Sequence, residues 1–121
     1  MLATLLLPLS LQGSVLAQMN DQQLCSVIRR NVEGRQQAFA YPLTAVATSV
    51  DCAAKRVKAN MKADLSGQPL GAFVTNFLGV ARAGVCNLSD PTMAAFHNRG
   101  WKFAYRFEAA DGSVQEHVLA C

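Results

Sequence analysis

Residues 101–108 alternate without a break: Trp101, Phe103, Tyr105 and Phe107 with Lys102, Ala104, Arg106 and Glu108. Successive side chains of a strand point to opposite faces, so this run has one apolar and one polar face. Asp111-Gly112 follows, a dipeptide that accepts the positive φ of a tight hairpin turn. Val114 to Ala120 supplies the return strand. With Asp111 and Gly112 as a two-residue turn, Ala110 faces Ser113, Phe107 faces Glu116, Tyr105 faces Val118 and Phe103 faces Ala120. Arg106 then faces His117, Ala104 faces Leu119 and Lys102 faces Cys121. Two residues fit this register badly: Glu116 falls on the apolar face and Leu119 on the polar one.

A second alternating pair lies upstream. Leu43 to Cys52 is rich in Thr and Val and reads as a strand. Asp51 to Lys55 turns the chain, and Arg56 to Leu65 alternates again. There Val57, Ala59, Met61, Ala63 and Leu65 oppose Arg56, Lys58, Asn60, Lys62 and Asp64. The Ala, Lys and Met content also suits a helix, but the strict alternation favours a strand.

Three helices complete the pattern. Asn20 or Asp21 caps the first, with Leu24, Val27, Ile28 and Val32 on one side and Arg29, Arg30 and Glu33 on the other. Arg35 continues the solvated arginine face, and Pro42 ends any continuation. Ser66-Gly67-Gln68-Pro69 opens the second helix, whose stripe is Leu70, Phe73, Val74, Phe77, Leu78, Ala81 and Val85. Its glycines, Gly71, Gly79 and Gly84, are expected where the helix packs closely on the sheet. Ser89 or Asp90 caps a short third helix with Pro91 at its start, Met93 and Phe96 inward and Gly100 as its stop. The order is α-β-β-α-α-β-β. The expected fold is α+β: an antiparallel sheet of two hairpins with the helices on one face, as a single domain over residues 18–121.

Residues 1–17 are read as a cleaved signal peptide. They are Leu-rich and uncharged, and Val15 and Ala17 match the small-residue pattern of a cleavage site. Pro8 and Gly13 break the run, which is short for a membrane span, so an integral membrane protein is not expected. Export to the periplasm or beyond makes the four cysteines, Cys25, Cys52, Cys86 and Cys121, two disulfides with three conceivable pairings. Cys25–Cys52 and Cys86–Cys121 are preferred because each joins successive elements. Each would stabilise by about 2–4 kcal/mol. Cys and His spacings match no zinc motif, and no metal or cofactor is expected.

Residues 66–121 resemble the quorum-sensing-regulated virulence factors, a group of small secreted bacterial proteins. The resemblance rests on Cys86, Asp90-Pro91, Gly100, Phe103, Tyr105, Phe107, Asp111-Gly112 and Cys121. It implies an α/β fold, export and a role in virulence, and it brings no catalytic residues.

The polar sides of the two hairpins suggest a site. Arg56, Lys58, Lys62, Lys102, Arg106 and His117 gather on the open face if the hairpins share a sheet. Such a face attracts a protein partner or an anionic envelope polymer. The alternative is a solvated face that keeps the sheet soluble. A net charge of +3 without exposed interleaved aromatics argues against nucleic acid. A nucleophile–base pair would need Ser or Cys beside His97 or His117 in space, and all four cysteines are better used as bridges; His97 is read as a helix-end dipole partner. The expected function is therefore non-enzymatic binding in envelope function, secretion or virulence. An inhibitor or immunity protein using the Asp51–Lys55 or Ser66–Pro69 loop is second, and a small periplasmic enzyme third.

Overall fold

The computed structural model describes residues 18–33 and 39–121. Residues 1–17, read above as a signal peptide, and Arg35 lie outside them. Asn20 opens helix α1 (Asp21–Val32): its side chain accepts from Gln23 N–H while the Gln23 side chain accepts from Asn20 N–H. This reciprocal pair satisfies two donors that a bare helix end leaves open. Two hairpins follow at the expected places, β1 (Leu43–Asp51) with β2 (Arg56–Ala63), and β3 (Lys102–Ala109) with β4 (Val114–Val118). Between them lie α2 (Leu70–Val85) and α3 (Pro91–Asn98), the latter capped by Asp90, which accepts from Thr92 N–H.

The four strands form one sheet in the order β1-β2-β3-β4. The expectation of a purely antiparallel sheet is corrected: β2 and β3 pair in parallel, from Arg56 beside Lys102 to Ala63 beside Ala109. The reason is the crossover. Two helices carry the chain from the end of β2 back to the level of its start, so β3 enters in the same direction.

The second hairpin is also corrected, by one residue. Tyr105 pairs with His117, Arg106 with Glu116 and Phe107 with Gln115. The turn has three residues instead of two. Gly112 N–H bonds the Ala109 carbonyl and Ala109 N–H bonds the Ser113 carbonyl, with Gly112 alone at a positive φ of 90°. The Asp111 carboxylate accepts from both Ser113 N–H and its hydroxyl, which fixes this wider turn. Both misfits then disappear. Leu119 joins the buried side, and Glu116 moves to the open face.

All three helices cover one face of the sheet, over two apolar clusters. At the start of β2 and β3, Leu24, Val27, Ile28, Val50, Ala95, Phe96 and Trp101 pack together with Cys25. At the other end Met61, Ala63, Leu65, Leu70, Val74 and Phe107 pack with Phe73, Phe77 and Tyr105. A Cβ at Gly71 would meet Gln115 of β4 at 3.7 Å, but Gly79 and Gly84 are not close-packing points: a Cβ at either would meet nothing within 4 Å. They lie on the outer face of the helix, where Val80 is 78% exposed. Both disulfides have the preferred pairing, Cys25–Cys52 and Cys86–Cys121. Among the described residues no helix is long and apolar enough to cross a membrane.

Candidate functional site: the open face of the sheet

The strand registers place four rows of side chains on the face away from the helices. Asp51, Arg56 and Lys102 form the first, and Ser49, Lys58, Ala104 and Val118 the second. Ala47, Asn60, Arg106 and Glu116 form the third, and Ala45, Lys62, Glu108 and Val114 the fourth. Five of the six expected residues are therefore together: Arg56, Lys58, Lys62, Lys102 and Arg106. The sixth, His117, is not. The slipped register turns it to the helix side, where its Nε2 lies 3.0 Å from Gln115 Oε1.

The same slip brings Glu116 onto this face, where the alternation of β3 had already placed Glu108. Glu116 forms an ion pair with Lys58, and Glu108 lies 3.9 Å from Lys62. The Lys58 hydrogen bond and charge, with the fields of Arg106 and Arg56, hold the Glu116 carboxyl below its ordinary pKa. Its sequence signal was its bad fit to the apolar face of the expected hairpin. The centre of the face is thus a ladder of alternating charge in which Lys58 and Arg106 already have an anion beside them. Arg56 and Lys102 differ. They are direct neighbours in the parallel pair and are exposed, and among the described residues neither makes an ion pair.

Three polar groups lock the edge of this corner. Lys55, in the β1–β2 turn, donates to the Arg99 carbonyl at 2.9 Å and pairs with Asp21 at 3.1 Å. Arg99 pairs with the same carboxylate at 3.3 Å. The Lys55 hydrogen bond and charge, then Arg99, lower the Asp21 pKa. The Asp51–Lys55 turn is also tied to β3, since Lys102 N–H donates to the Lys55 carbonyl at 2.9 Å. The two loops considered for an inhibitor therefore lie at opposite ends of the sheet, with Ser66–Pro69 beyond the far end of β2. They do not form one surface.

The remaining histidine also has a defined place. His97 is in the last turn of α3, but the carbonyl it meets belongs to α2: Nε2 lies 2.8 Å from Val85 O. It therefore serves the C-terminal end of a neighbouring helix rather than its own. The depression of about 360 Å³ at the far end of the sheet is lined by Thr44, Lys62, Asp64, Glu108 and Ala110, without His97 or His117. No family model, no curated protein and no solved structure matches this chain.

Proposed function

We propose that this is a small exported, non-enzymatic protein that binds a protein partner through the open face of its sheet, in the periplasm or outside the cell. The observation that carries the reading is the charge pattern of that face. Five cations are interleaved with Asp51, Glu108 and Glu116 on one face of the sheet. A uniform polyanion would meet the carboxylates as well as the cations. A protein surface of mixed charge can match both, and such matching sets specificity and encounter rate. Two disulfides and the leader-like residues 1–17 support export. The resemblance of residues 66–121 to the quorum-sensing-regulated virulence factors supports a role in secretion or virulence.

A second reading is favoured by the Arg56–Lys102 corner. Two adjacent cations without an ion pair suit a phosphate group of an envelope polymer. One set of variants separates the readings. The oxidised protein is immobilised and exposed to envelope extract, with and without Arg56→Gln/Lys102→Gln and, separately, Lys58→Gln/Arg106→Gln. A protein partner bound stoichiometrically and lost at least tenfold in Lys58→Gln/Arg106→Gln supports the first reading. Salt-sensitive retention of lipopolysaccharide or teichoic acid, lost in Arg56→Gln/Lys102→Gln, supports the second. Binding unchanged in both variants removes the open face from the function.

A further inference from the structure

The two disulfides have different surroundings. Cys25 is 2% exposed, inside the cluster that contains Leu24, Ile28 and Trp101, while its partner Cys52 is exposed. Cys86 is half-buried and Cys121 is exposed. Beside the second bridge stands His97, whose Nε2 is 2.8 Å from Val85 O and 3.8 Å from Cys121 Sγ. A carbonyl oxygen only accepts, so Nε2 carries the proton, and the same N–H is available to the sulfur. Arg82 adds a cation on the same side: its Nε donates to the Ala120 carbonyl at 3.2 Å, one residue before Cys121. Cys86 has the opposite setting. It caps the C-terminus of α2, where the last carbonyls disfavour negative charge. A thiolate is thus favoured at Cys121 and disfavoured at Cys86.

We propose that Cys86–Cys121 is an exchangeable disulfide that oxidises a dithiol, with Cys121 as the leaving thiolate and His97 as its hydrogen-bond donor. A thiolate of the dithiol attacks Cys86 Sγ and forms a mixed disulfide. The Cys86–Cys121 bond breaks, and its electron pair goes to Cys121 Sγ against the His97 Nε2–H. The second thiol of the dithiol then loses its proton and attacks its partner sulfur. That closes a disulfide in the dithiol and releases Cys86, which is protonated. The dithiol loses two electrons and two protons, the first proton to solvent; the bridge gains the two electrons and one proton at Cys86, and a second proton from solvent when Cys121 is protonated. Cys25–Cys52 stays closed as the structural bridge. Among the described residues no imidazole contacts it.

The test uses the whole oxidised protein with dithiothreitol as the dithiol. Thiols are trapped by alkylation over time and assigned to each bridge by peptide mass. Equilibration in glutathione buffers gives each bridge its exchange constant. Cys86–Cys121 is expected to open at least tenfold faster than Cys25–Cys52. His97→Ala is expected to lower its exchange constant with glutathione about tenfold, which is about 30 mV for a two-electron couple. His97→Gln, with an amide N–H at a similar reach, is expected to restore part of that loss. The fluorescence of Trp101, the one tryptophan of the chain, reports folding of each variant. Equal opening rates for the two bridges in the unmodified protein overturn the proposal whatever the variants do. So does a folded His97→Gln or His97→Ala protein whose exchange constant is unchanged.

Discussion

The two ends of the sheet are held by different means. At the start of β2 and β3 the ties are covalent and ionic. Cys25–Cys52 fastens α1 to the β1–β2 turn, and Cys86–Cys121 fastens α2 to the chain beyond β4. Asp21 draws Lys55 and Arg99 together, while Arg29 of α1 and Glu33 at its C-cap bond the Val50 carbonyl and N–H on the outer edge of β1. At the far end neither bridge is present, and aromatic packing takes over. Phe107 meets Phe73 and Phe77 edge to face, with ring centroids 6.1 and 5.2 Å apart, and Phe77 meets Tyr105 at 5.7 Å. The comparison shows how a domain of this size divides its stability. Both ends have an apolar cluster: the stapled one packs α1 and α3 around Phe96 and Trp101 and adds bridges and ion pairs, and the other packs the long helix on a larger group of rings without a bridge.

The largest expected effect is at the aromatic end. Phe107 is 0% exposed at the centre of the ring cluster. Phe107→Ala should cost about 3–5 kcal/mol, through lost transfer energy and the cavity left behind. Urea unfolding at neutral pH measures it, and a loss below about 1 kcal/mol would mean the far end contributes little. At the stapled end the bridges close loops of similar length, with sequence separations of 27 and 35. Chain entropy alone gives about 3.5–4 kcal/mol for each. Cys25→Ala/Cys52→Ala should nevertheless cost more than Cys86→Ala/Cys121→Ala, because Cys25 also fills the core. Equal denaturation midpoints would break that distinction. The smallest effect concerns Asp21. Its folded pKa is lowered by Lys55 and Arg99, so its contribution is present above the ordinary carboxylate range and lost as pH falls below about 4. The midpoint difference between the unmodified protein and Asp21→Asn should therefore be largest near neutrality and shrink in acid.

Much of the fold was legible because it rests on short-range pattern. The alternation at Arg56–Ala63 and Lys102–Ala109, the capping residues Asn20 and Asp90 and the turn at Asp111-Gly112 each act within a few residues. The direction in which the hairpins join is not written in their alternation, since either direction gives the same two faces. The signal lay in the connection: two helices between β2 and β3 are a crossover, and a crossover returns the chain to a parallel neighbour. The register of the second hairpin was legible in a subtler way. Leu119 and Glu116 both stood on the wrong face of a two-residue turn, and a one-residue slip corrects both. The site followed the register. Arg56, Lys58, Lys62, Lys102 and Arg106 were placed by β2 and β3 alone, whereas His117 depended on β4 and was misplaced. The contact between His97 and Cys121 joins residues 24 positions apart across the β3–β4 hairpin, and no local pattern announces it.

The parallel junction between β2 and β3 has a consequence for how the chain assembles. Each disulfide closes within its own half, Cys25–Cys52 before α2 and Cys86–Cys121 after it, and neither spans the junction. The hairpins are local and form early, whereas pairing β2 with β3 must first close the whole crossover. Uniting the halves is therefore the strand pairing with the longest connection to close. Because the cysteines pair in consecutive order, a chain that enters an oxidising compartment from its N-terminus can close Cys25–Cys52 before Cys86 appears. Correct pairing is then favoured by timing as well as by geometry.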